Sequence, residues 1–184
     1  MGKMDKMYKE EMIRIAADAG AKAAMEKLER ERKREVEERV DRRLHNTRLL
    51  LKNYRLFREH TDNAVYQVEQ LDESIYEILE LMERRGPSDF SASIKNSAAR
   101  TAVLVRHIDV MLGLYKTYCE NSGRQEDLRR WRVAKALYVD DQPATVQEMA
   151  DREYVAEKTI RRDVDSICEH LSALLFGIDG IKKE

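Results

Sequence analysis

The sequence predicts an all-α protein: a long charged N-terminal helix, a helical middle region and a C-terminal helix-turn-helix. Three observations carry this reading. Only two prolines, Pro87 and Pro143, and seven glycines interrupt 184 residues. Alanine, leucine, glutamate, lysine and arginine, which lose little side-chain entropy in a helix, dominate the rest. Apolar residues recur every three or four positions, and no strand-like alternation of useful length occurs. Charged residues make up 38% of the chain against the usual quarter, so the helices must be heavily solvated. The expected regions are a charged helical stalk and helical hairpin over 1–85, central helices over 92–139 and a helix-turn-helix over 143–184.

The first element is a helix through residues 1–60, which hold no proline and one interior glycine, Gly20. From Glu26 to Arg43, 15 of 18 residues are charged, eight basic and seven acidic. Opposite charges four residues apart, as in Glu35 and Arg39, support a helix with little core behind it. Val36, Val40, Leu44, Leu51 and Tyr54 nevertheless draw an apolar stripe down one face. That stripe needs a partner, either the next helix of the same chain or a second copy in a coiled-coil homodimer.

Residues 42–58 carry six basic side chains and no acid, with Arg48, Lys52 and Arg55 on one helical face. Residues 62–83 carry seven acids and no lysine or arginine. The two stretches could neutralise each other in an antiparallel hairpin, or the basic face could meet phosphates. Arg85-Gly86-Pro87-Ser88 then breaks the helix, which places a linker at 86–92.

A buried-face helix is expected from Ala92 to Cys119, through Ile94, Ala98, Ala102, Val105, Ile108 or His107, Leu112 and Tyr115, closed by Asn121-Ser122-Gly123. A shorter helix from Gln125 to Val139 has Leu128, Trp131, Ala134 and Leu137 or Tyr138 on its apolar side. Arg129, Arg130, Arg132 and Lys135 then project away. Asp140-Asp141-Gln142-Pro143 ends it.

The segment after that turn carries the functional reading. Thr145 suits the N-cap of a helix over about 146–153, and Glu148 three residues later completes a capping box. Met149 and the small Ala150 face inward, where two steeply crossed helices approach each other. Val155 plugs the turn, and Ile160 with Val164 anchors a second helix. Ala156, Glu157, Lys158, Arg161, Arg162 and Asp165 are left on its outer face, where such a helix meets base edges and phosphates in the major groove. The candidate nucleic-acid contacts are Thr145, Gln147, Lys158, Thr159, Arg161 and Arg162. Arg48, Lys52, Arg55, Arg129, Arg130 and Arg132 are candidate secondary contacts to an anionic partner.

Met149-Ala150, Val155 and Thr159-Ile160-Arg161-Arg162-Asp163 together resemble known helix-turn-helix families. The string TIRRD is similar to the recognition helix of DeoR-type repressors, and the whole unit resembles the promoter-reading C-terminal domain of bacterial sigma factors. More loosely, RLHNTRLLLKNYR, the stretch from Ser93 to Asp109 and the ending Leu175-Phe176-Gly177-Ile178 resemble small sigma-like regulators of phages and mobile elements in Gram-positive bacteria. The resemblance implies a transcriptional regulator that binds double-stranded DNA, with RNA polymerase or a host nucleoprotein complex as a further partner. Tyr154 stands where these families usually have glycine, Ala156 where serine is frequent, and Glu153 where an apolar residue is usual. A tyrosine in a left-handed turn position is unfavourable, which raises the expectation of a remodelled turn.

Other functions find little footing. Lysine and arginine total 34 against 35 acids, so a DNA-binding surface must be a local patch. The four histidines stand far apart, and Cys119 and Cys168 read as free thiols, so neither a metal nor another cofactor is expected. No Gly-rich phosphate loop, no nucleophile elbow and no His-carboxylate arrangement placed to activate a serine or cysteine is present, and no enzyme is expected. Without a signal-like or membrane-length apolar run, the expected setting is the cytoplasm. Two rival readings stand beside the regulator: a mobile-element inhibitor of a host nucleic-acid-handling complex, of the anti-defence or anti-CRISPR type, and a coiled-coil scaffold.

Overall fold

Helix-forming residues account for all the regular structure among residues 2–61, 78, 80 and 98–177, the part of the chain that the computed structural model describes. The helices are α1 (Gly2–Thr61), α2 (Ala98–Asn121), α3 (Gln125–Ala134), α4 (Val146–Glu153) and α5 (Glu157–Phe176). Most of the acidic stretch 62–83, the linker 86–92, the start of the helix expected from Ala92 and the last seven residues lie outside the described part. No described helix is long and apolar enough to cross a membrane. The chain divides into two units, residues 1–39 and 40–184.

In the first unit every described side chain from Glu10 to Arg39 is exposed. Ion pairs one turn apart support the helix: Lys27–Glu31 at 3.9 Å, Arg30–Glu26 at 3.8 Å and Arg34–Glu38 at 3.3 Å. Such pairs contribute about 0.3–0.5 kcal/mol each. Large apolar side chains are exposed as well, among them Tyr8, Met12, Ile13, Ile15, Met25, Leu28 and Val36.

The second unit contains the core. Val40, Leu50, Leu51, Tyr54 and Phe57 of α1 are buried. The apolar stripe of α1 is therefore covered by its own chain from Val40 onward, whereas Val36 in the first unit remains 49% exposed. In α2, Leu104, Val105, Ile108, Leu112, Tyr115 and Cys119 form the buried face at the expected helical spacing. The Tyr54 hydroxyl donates to Asp109 of α2; desolvation and that carboxylate push its pKa up to about 12. Gly123 at φ 68° takes the left-handed conformation that ends α2 without a Cβ penalty.

The shorter helix runs as expected from Gln125, but it changes pitch. After Ala134 the chain continues as a π-helical turn, Lys135–Val139, in which the Asp140 N–H reaches the Lys135 carbonyl at 2.9 Å. The Ala144 N–H closes onto the Ala136 carbonyl at 3.0 Å, and Arg55 of α1 donates to the Leu137 carbonyl at 2.9 Å. These bonds satisfy carbonyls that a widened turn would otherwise leave open.

α5 packs against α2, α3 and α4, burying Ile160, Ile167, Cys168, Leu171 and Leu175. Both cysteines are buried free thiols, as expected. Near the end of α5 the Leu175 carbonyl faces Nε2 of the half-buried His107 at 3.4 Å. Burial holds the His107 pKa below its ordinary 6.5 more strongly than this contact raises it. The unfolded chain therefore binds the proton first as pH falls, and stability should decline below about pH 6.5. Urea unfolding at a series of pH values is expected to show this acid-side loss, and His107→Gln to flatten it. An unchanged slope in the variant would assign the loss to other groups.

Candidate nucleic-acid interface

Thr145 begins the site. Its Oγ1 accepts from the Glu148 N–H at 3.1 Å, and the Glu148 carboxylate accepts from the Thr145 N–H at 2.7 Å. That backbone bond, followed by the threonine side chain, holds the Glu148 carboxyl below its ordinary range. Two of the donors left open at the start of α4 are thus satisfied reciprocally, as the sequence predicts. Met149 and Ala150 are buried, and the helix runs Val146–Glu153.

Three residues, Tyr154–Ala156, connect α4 to α5. Tyr154 adopts the left-handed conformation at φ 54° and ψ 43°, so the turn keeps its left-handed residue although no glycine is present. The Val155 N–H returns to the Ala150 carbonyl at 3.0 Å, and Val155 is half-buried. Ala156 leads into α5 without a side-chain cap, and Ile160 is completely buried one turn later.

That anchoring leaves Ala156, Glu157, Lys158, Arg161, Arg162 and Asp165 exposed on one face, with Thr145 and Gln147 exposed at the start of α4. Thr159 is half-buried and partly withdrawn from this surface. Arg161 pairs with Glu157 at 3.0 Å across one exposed turn. Among the described residues, Lys158 and Arg162 take part in no ion pair.

The other candidate cations divide. Arg129 and Arg130 do not project away from the fold, contrary to the sequence expectation. Arg129 grips Asp163 through Nε at 2.7 Å and Nη2 at 3.3 Å. Arg130 reaches Asp163 at 3.3 Å and Asp127 at 2.7 Å. The Asp163 side chain is only 4% exposed, and a buried carboxylate is tolerated only when paired. Its hydrogen bond is the leading cause that holds the Arg129 pKa above the ordinary value. A signal was available: Asp163 lies three residues after Ile160 and four before Ile167, on the inward face, and therefore demands a buried cation.

Arg132 makes a two-pronged bond to Glu153 at 2.7 and 2.6 Å. This bond is the main cause of the lowered Glu153 pKa, and the pair occupies the position where an apolar contact was expected. Arg48 meets Asp165 at 2.7 Å, Arg55 is turned to the Leu137 carbonyl, and Lys52 is exposed. Arg48, Lys52 and Arg55 thus do not act alike: Arg55 serves the π turn, while Arg48 ties α1 to the outer face of α5.

No protein-family model matches the chain, and comparison with curated proteins and with solved structures finds no match. The site therefore stands on its own geometry. Among the described residues no group of three histidine, cysteine, aspartate or glutamate side chains could hold a metal ion. What the arrangement offers chemically is a short exposed row of hydrogen-bond donors and positive charge at the start of α5. The acids of that helix segment are each engaged by an arginine: Glu157 by Arg161, Asp163 by Arg129 and Arg130, and Asp165 by Arg48.

Proposed function

We propose that α4 and α5 work as a helix-turn-helix that lays the first half of α5 in the major groove of double-stranded DNA, making the protein a sigma-like transcriptional regulator. The observation that carries this reading is the exposed row of Lys158, Arg161 and Arg162 on a helix whose Asp163 and Asp165 are met by arginines of other helices. Acids left bare there would repel phosphate. Arg161 and Arg162 divide between a base edge and a phosphate, because a guanidinium presents two donors to guanine or to backbone oxygens. The exposed Glu157 pair does not prevent this, since ion pairs in water are weak. Lys158, Thr145 and Gln147 meet phosphates and set the register of the domain. The test is fluorescence anisotropy with pooled genomic fragments across a salt series. The expected result is binding in low salt that weakens linearly on a logarithmic salt scale. No affinity at the lowest salt would reduce α4 and α5 to a structural hairpin.

The partner that best suits the first unit is a second copy of the chain. Its described side chains are exposed, including seven large apolar ones, and an isolated helix gains little from ion pairs alone. Sedimentation analysis at tens of micromolar, a range suited to micromolar association, is expected to give a dimer. Met12→Glu with Ile15→Glu should shift it to monomer. A wild-type monomer at that concentration would remove the dimer from this account.

A further inference from the structure

Among the described residues, Tyr154 is the one non-glycine residue with a positive φ, at 54°. Glycine or asparagine fits that conformation without the Cβ penalty that tyrosine carries. Strain of this kind is ordinarily offset by packing, yet the Tyr154 side chain is 95% exposed, the most exposed of the large hydrophobic residues described. Among the described residues it makes no hydrogen bond, ion pair or ring contact. Both the backbone and the side chain of the free protein would therefore be served better by another residue at this position. A strained residue whose side chain contributes nothing to its own fold points outward, to a contact made with something else.

The surroundings specify that contact. Tyr154 lies between the exposed face of α4, which begins at Thr145 and Gln147, and the exposed row that opens with Lys158. When the second helix of such a unit enters the major groove, the first crosses the sugar-phosphate backbone, and the connecting turn lies beside the groove wall. A phenol there has a donor for a phosphate oxygen and a ring face for the deoxyribose. We propose that Tyr154 is a DNA-backbone contact, its hydroxyl donating to a phosphate oxygen beside the groove that α5 enters. The assignment rests on the DNA-binding reading above and adds a residue to it.

The test pairs stability with affinity in the full-length protein. Tyr154→Gly is expected to raise the melting temperature by a few degrees, roughly 2–5 °C, while weakening affinity for duplex DNA about five- to thirtyfold, the range for loss of one good polar contact with its packing. Tyr154→Phe keeps the ring and the strain, so it should leave the melting temperature unchanged and lose most of the same affinity. A glycine variant that melts lower would make the ring structural and overturn the proposal. So would a glycine variant that binds as tightly as wild type. If wild type binds and loses affinity through Lys158→Ala but not through either Tyr154 variant, the assignment of Tyr154 alone fails. If wild type shows no salt-dependent binding at all, the parent reading fails with it.

Discussion

Asp163→Ala is expected to destabilise the protein by about 3–5 kcal/mol, the cost of leaving a buried ion network without one of its partners. Asp163 receives Arg129 at 2.7 Å and Arg130 at 3.3 Å, and the two arginine side chains are only 17% and 24% exposed. Removing the carboxylate leaves two guanidinium groups in a partly desolvated space, with Asp127 as the remaining nearby acid for Arg130. Asp163→Asn, which retains an acceptor oxygen but not the charge, should cost less. Urea unfolding followed by helical circular dichroism would measure both. A loss below about 1 kcal/mol for the alanine variant would mean that the arginines reach solvent easily, since exposed pairs are worth no more than that. The account of Asp163 as the buried centre of the α3–α5 contact would then be wrong.

The second large effect concerns affinity. Replacing Lys158, Arg161 and Arg162 together by alanine should reduce DNA binding more than a hundredfold, if each loss costs about 1–3 kcal/mol for a base contact or somewhat less for a phosphate. Each lost phosphate contact should also flatten the salt dependence by about one unit of slope, so the variant should differ from wild type most in low salt. All three residues are exposed, and their loss should leave the melting temperature nearly unchanged. Singly, alanine at the arginine that reads a base should relax preference at one base pair, whereas Lys158→Ala should weaken every sequence alike. Unchanged affinity in the triple variant would remove α5 from the interface even if the protein binds DNA elsewhere.

Where a local rule suffices, sequence and structure agree closely. The capping box at Thr145 and Glu148, the inward Met149, Ala150 and Ile160, and the outward Lys158, Arg161 and Arg162 all follow from helix periodicity and cap chemistry within a few residues. The burial of α1 from Val40 onward is one of two alternatives that the sequence leaves open, because a stripe does not reveal which chain supplies its cover. The directions of Arg129 and Arg130 are lost when the α3 pattern is judged by its apolar residues alone. Asp127 and Val133 are buried on that helix, and an acid in the core reverses where its neighbouring cations turn. Tyr154 shows a different limit. Its residue type argues against the left-handed conformation, but the closure of Val155 onto Ala150 and the burial of Ile160 fix the turn regardless. Tertiary contacts over-determine the backbone there, and local propensity yields.

The π turn at Lys135–Val139 has a consequence for how this chain tolerates change in length. The wide turn closes the helix with one residue more than an α turn needs before the chain leaves it at Asp140. Deleting one residue from the KALYV stretch would let the Asp140 N–H close an ordinary α turn, so the chain would still leave the helix in the same phase. A deletion within Gln125–Ala134 would instead rotate everything beyond it by about 100° and carry the Leu137 carbonyl away from Arg55. The segment upstream of the α4 cap should therefore lose a residue more readily than the regular turns that precede it.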